Sequence, residues 1–166
     1  MAKSELEQIT EDAIHNGGIL AKIYFDMQSE KQEDLQPLMT DLIGNRLLKE
    51  PGVIYCVGDI NEPIQTKDTY STSAIATVLV KDLGVLINIT FNYVPVAIEI
   101  LRPEKEYVMK KSELQSVILN LSQVSLDYSQ YILSRVLTKE DYEKVMNDVK
   151  NREMIGRKLL EKKKDE

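Results

Sequence analysis

The chain has one cysteine and one histidine in 166 residues. A lone cysteine excludes an intramolecular disulfide framework and a thiolate zinc cluster. The lone histidine, His15, excludes His-rich metal centres and a multi-histidine catalytic site. Long apolar runs are missing too: the longest, Ala74 to Val80, is broken by Thr77 and falls far short of the ~20 residues a membrane span requires. The opening MAKSELEQ has no apolar h-region, so the reading is a cytoplasmic protein with no membrane partner. No metal and no cofactor is expected.

What is present is an ordinary globular composition: 43% hydrophobic residues and a net charge of −6, from 21 basic and 27 acidic side chains. The length suits one domain able to stabilise itself by its own core.

Leu6, Ile9 and Ala13 share one face of a short helix that Asn16-Gly17-Gly18 terminates. From Ile19 the period becomes two. Ala21, Ile23, Phe25 and Met27 line one face of a strand, while Lys22, Tyr24 and Asp26 line the other. Leu35, Leu38, Met39, Leu42, Ile43 and Leu47 then follow helical spacing, stopped by Glu50-Pro51-Gly52. Val53 to Ile60 reads as a strand, Asn61 to Thr69 as a loop, and Tyr70 to Lys81 as a longer strand. Asp82 caps a helix to Tyr93, and Val96 to Leu101 is the last strand. The order strand, helix, strand, strand, helix, strand predicts an α+β fold, a ferredoxin-like βαββαβ sandwich.

Beyond Pro103 no glycine occurs until Gly156. Ser112 with Gln115 reads as a capping box, and Thr138 with Asp141 as a second helix start. The expected organisation is therefore residues 1–103 as the core with its extra N-terminal helix, and 104–166 as a long C-terminal helical hairpin packed on that core or on a partner subunit, within one domain overall. The stretch from Lys150 to Lys164 is locally basic.

Candidate sites come from the second sheet face. Tyr24, Tyr55, Thr77 and Glu99 fall there beside apolar Val53, Val57, Ile75, Leu79, Ala97 and Leu101, a mixture that would be a large apolar patch if left bare. Either the C-terminal helices or a second subunit covers it, or it holds a small-molecule pocket in which Tyr24, Tyr55 and Glu99 converge. No residue is assigned a catalytic role. The loop Glu62 to Ser73, with the hydroxyl groups of Thr66, Thr69, Ser71, Thr72 and Ser73, lacks a P-loop signature and reads as a polar hairpin loop. Cys56 reads as a small buried hydrophobe, and His15 as a favourable group at a helix C-terminus. Lys162-Lys163-Lys164 reads as a solvated helix end. Acidic Asp26, Asp59 and Glu99 beside the strand tyrosines argue against nucleic acid.

The segment Val80-Lys81-Asp82-Leu83-Gly84-Val85-Leu86-Ile87-Asn88-Ile89 resembles the strand-to-helix turn of the ACT-type regulatory domains, over about 27 residues from Ile75 to Leu101. That resemblance implies a ferredoxin-like fold and an amino-acid-like ligand bound near Gly84 at a subunit interface. The whole-chain arrangement also resembles small uncharacterised archaeal proteins. The expected function is that of a non-enzymatic, self-associating binding or interaction protein, a homodimer or higher homo-oligomer. The alternative is a small-molecule sensor or small enzyme with a pocket between the sheet and the C-terminal helices.

Overall fold

The computed structural model describes residues 4–162, in two compact units that divide after Leu121. The side chains of Lys162, Lys163 and Lys164, the basic run noted above, lie outside what is described.

The first unit opens with α1 (Glu5–His15), whose start is a reciprocal cap: the Glu7 amide donates to the Ser4 hydroxyl and the Ser4 amide to the Glu7 carboxylate. Gly17, at φ +92°, ends it in a conformation that side chains resist. Five strands follow: β1 (Ile19–Ser29), β2 (Val53–Ile60), β3 (Ile64–Thr66), β4 (Thr69–Val80) and β5 (Ala97–Arg102). The sheet order is β2-β4-β1-β5, with β3 paired to the start of β4, and every pairing is antiparallel. β1 and β2 are therefore parallel with β4 between them, as are β4 and β5 with β1 between them. This is the split βαβ arrangement of the ferredoxin-like sandwich, with an added N-terminal helix and two long C-terminal helices.

The first crossover is more irregular than its sequence suggests. Leu35, Met39, Ile43 and Leu47 are all buried at strict spacings of four, which outruns the 3.6-residue α period. The chain absorbs the surplus by passing from α2 (Gln32–Thr40) into a π-helical turn (Asp41–Arg46) and then a 3₁₀ turn (Leu47–Lys49). The wider turn returns Ile43 to the sheet, where its Cγ2 lies 2.7 Å from where a side-chain carbon on Gly58 of β2 would be. The second crossover is α3 (Leu83–Tyr93), which Asp82 caps by accepting from the Val85 amide at 2.9 Å. These helices bury the face formed by Ile19, Ala21, Ile23 and Phe25 of β1 with Ala74, Ala76, Val78 and Val80 of β4.

Three local expectations change. The stretch Asn61 to Thr69 holds a short strand, β3, because Ile64 to Thr66 folds back on β4 around a turn at Lys67. Val53 packs against the core rather than on the second face, because the β2 register slips between Val53 and Tyr55. α4 (Lys111–Val136) begins before Ser112, so Ser112 is no cap; the Lys110 amide donates to the Glu113 carboxylate instead, at 3.0 Å.

The second unit holds the rest of α4 and α5 (Lys139–Lys162). Thr138 starts α5 by accepting from the Asp141 amide while donating its hydroxyl to the Asp141 carboxylate. Arg135 lies over the Tyr131 ring at 5.4 Å. Among the described residues no helix is long and apolar enough to cross a membrane.

Candidate functional site

The four sheet residues singled out by sequence lie one on each of the four long strands: Tyr55 on β2, Thr77 on β4, Tyr24 on β1 and Glu99 on β5. Register places them on a common face, since Val57 pairs with Thr77, Thr77 with Lys22, and Lys22 with Glu99. Only one pair is brought into contact. The Tyr24 hydroxyl donates to Glu99 at 3.1 Å, and that bond to a carboxylate, ahead of burial, holds the phenol above its usual pKa. Tyr55 is three strand spacings from Glu99, roughly 14 Å, and meets Thr10 of α1 instead, at 3.2 Å. The three polar groups expected to converge are thus spread across the sheet.

That contact identifies what covers one end of the second face. α1 packs on β1 and β4, and Leu79, which points to that face, is fully buried. Toward the other end Val57, Asp59, Asp26 and Ala97 remain exposed.

Gly84 belongs to a different place. It sits in the first turn of α3 and lines a cavity of about 500 Å³ that none of the other four residues lines. Lys81, Asp82 and Gly84 form one wall; Tyr107, Glu113 and Asn120 form the other. The Tyr107 hydroxyl donates to the Gly17 carbonyl at 3.0 Å. Burial raises its pKa, the Leu83 amide opposes that rise, and the Glu113 and Asp82 carboxylates add to it. Asn120 reaches from α4 to donate to Asn88 of α3 at 3.0 Å, and Lys81 stands 3.8 Å from Asp82. Both charge signs therefore face one water-accessible hollow at a helix N-terminus. The sequence signalled Asp82 through the cap and Gly84 through the resemblance to ACT-type domains; Tyr107 and Asn120 carried no local signal, because their roles depend on contacts with Gly17 and Asn88 far away in the chain.

The remaining candidates have structural partners. Thr72 donates to the Asn61 carbonyl at 2.6 Å, Thr69 to the Thr66 carbonyl, and Asn61 to the Ser73 hydroxyl, so these hydroxyl groups hold the hairpin together. Burial pushes the Cys56 thiol up to about 11, which leaves almost no thiolate at neutral pH. Among the described residues no three of His, Cys, Asp and Glu gather as a metal site.

The MJ0538 family profile matches residues 20–154, which is most of the chain and runs from β1 into α5. The protein belongs to the MJ0538 family. Searches of the curated proteins and of the solved structures each gave no match. The matched span takes in the sheet except Ile19, the cavity lining except Asn16 and Gly17, all of α4 and the first two thirds of α5.

Proposed function

We propose that this member of the MJ0538 family is a non-enzymatic interaction protein that works by associating with a second copy of itself. One observation carries the reading: the sheet ends at β5, a strand bonded on one side only and exposed along nearly its whole length, Ile98 and Ile100 included. An open apolar edge of this kind is a template for another strand, and a two-fold dimer is the commonest way a soluble protein covers a self-complementary surface. Among the described residues Cys56 is held as a thiol and Tyr24 and Tyr55 sit apart, so neither supports a nucleophile-and-base reading. Sedimentation over a concentration series is expected to show a reversible dimer. A strict monomer at high micromolar concentration overturns the proposal.

A second reading rests on the cavity beside Gly84. Its paired charges, Lys81 against Asp82 and Glu113, suit a small zwitterion, and the resemblance of the Val80–Ile89 segment to ACT-type domains points to an amino-acid-like ligand. Thermal-shift titration with free amino acids tests it: stabilisation that is lost on Gly84→Leu supports a sensor, and no stabilisation by any amino acid removes this reading.

A further inference from the structure

We infer that the second copy joins through β5 itself, the two β5 strands pairing antiparallel about a two-fold axis at Ile98 so that two sheets become one. The inference rests on the self-association reading above and names its surface.

Edge strands of monomeric proteins are normally guarded by lysine, proline, a bulge or an inward-pointing charge. β5 carries such guards only at its ends, in Pro95 before it and in the bulge at Leu101 that precedes Arg102 and Pro103, whereas the stretch between them, Val-Ala-Ile-Glu-Ile from Val96 to Ile100, has neither lysine nor proline. Its single charge, Glu99, lies on the face of Lys22 and Tyr24 and accepts the Tyr24 hydroxyl. On the opposite face Ile98 and Ile100 pair with Ile23 and Ala21, which are both 0% exposed, yet remain 37% and 49% exposed themselves. The core therefore continues onto β5 and stops uncovered.

The approach to the strand adds an independent observation. Val94 ends α3 in the left-handed region, at φ 44° and ψ 61°, where glycine is favoured and a β-branched residue is strained. Its side chain gains little burial in return, for it is 78% exposed, and Val96 beside it is 68% exposed. The strained, exposed valine thus extends the apolar surface beside the strand at a cost that contacts within one chain do not offset.

Side-chain chemistry selects the register. With the axis at Ile98, Ile98 faces Ile98 of the second copy, Val96 faces its Ile100, and Ala97 faces its Glu99. Moving the axis to Glu99 sets two carboxylates directly opposite each other, which is destabilising. Moving it to Ile100 sets Arg102 against Ile98, and moving it to Ala97 sets Pro95, which has no amide hydrogen, against Glu99; with the axis at Ile98 both residues fall at the ends of the ladder, opposite Val94 and Leu101. The surface exposed along Val94 to Ile100 is at most on the order of 500 Å² per copy, so pairing buries no more than about 1,000 Å² in all, the size of a weak, transient interface. A reversible dimer follows rather than a permanent one.

The test uses full-length protein carrying Cys56→Ala, so that introduced cysteines stand alone. Ile98→Cys is expected to form a covalent dimer on mild oxidation, because the axis sets the two thiols opposite each other. Val96→Cys and Ile100→Cys are expected to cross-link when mixed and not when oxidised separately. Ile100→Lys, with native circular dichroism, is expected to weaken the dimer by about tenfold or more, since one charge enters each apolar pair. A dimer that persists in Ile100→Lys with no cross-link at position 98 overturns this inference and leaves self-association standing. If that dimer is instead lost on Ile118→Glu or Tyr128→Glu, the interface lies on the exposed apolar side chains of α4. Absence of any dimer in the unsubstituted protein overturns both.

Discussion

The Tyr93 hydroxyl at the end of α3 donates to the carboxylate of Glu50, in the turn that leads into β2. The bond joins the two crossovers across 43 residues of sequence. Burial first, and then the bond to Glu50, push the phenol up to about 12 from its ordinary value of 10. The folded state thus holds this proton more tightly than the unfolded chain does. The stabilisation is present in full below pH 10 and is lost as pH rises through 10 toward 12. Thermal melts are expected to decline more steeply above pH 10 for the natural protein than for Tyr93→Phe. Equal declines would show that the tyrosine is not linked to folding.

Gly58 and Gly44 give a matched pair. A methyl group at Gly58 would overlap the Ile43 side chain, whereas at Gly44 it meets nothing within 4 Å. Gly58→Ala is expected to destabilise by about 1–3 kcal/mol through overpacking of the π-turn against β2. Gly44→Ala, on an exposed helical turn, is expected to be neutral or to stabilise by up to about 1 kcal/mol. Urea denaturation of both variants checks the contrast.

Val94→Gly relieves the left-handed strain at the end of α3 and is expected to raise stability by about 1 kcal/mol, read as a higher melting temperature. The same substitution removes apolar surface beside β5, so it is expected to weaken the dimer in sedimentation. A fall in melting temperature measured on monomeric protein would contradict the strain argument.

Leu47 is fully buried beneath the sheet, and Leu47→Ala is expected to cost about 2–5 kcal/mol by leaving a cavity. The Tyr24–Glu99 bond lies on the exposed part of the second face. Glu99→Gln is therefore expected to change stability by less than about 0.5 kcal/mol. Chemical denaturation of the two variants separates a core residue from a surface pair.

Much of the fold was written locally. The alternation from Ile19 to Met27 identified β1 and its buried face, because a strand's period of two records which side chains avoid water. Asp82 and Thr138 marked the starts of α3 and α5, because a cap needs only a side chain and an amide two or three residues on. The order of elements then implied the split βαβ arrangement, since few connections of that order are sterically allowed.

Periodicity says which face is apolar and is silent about what covers it. Only the tertiary structure decided that α1 lies on one end of the second face, through Leu79 and the contact of Thr10 with Tyr55. It also separated Gly84 from Tyr24, Tyr55, Thr77 and Glu99, and assembled the hollow beside α3 from Lys81, Tyr107 and Asn120, which are distant in sequence. A one-residue slip moved Val53 to the other side of its strand. The exposure of Ile98 and Ile100 follows from strand order alone: the same residues in a central strand would have been core, and at the edge of this sheet they are its open side.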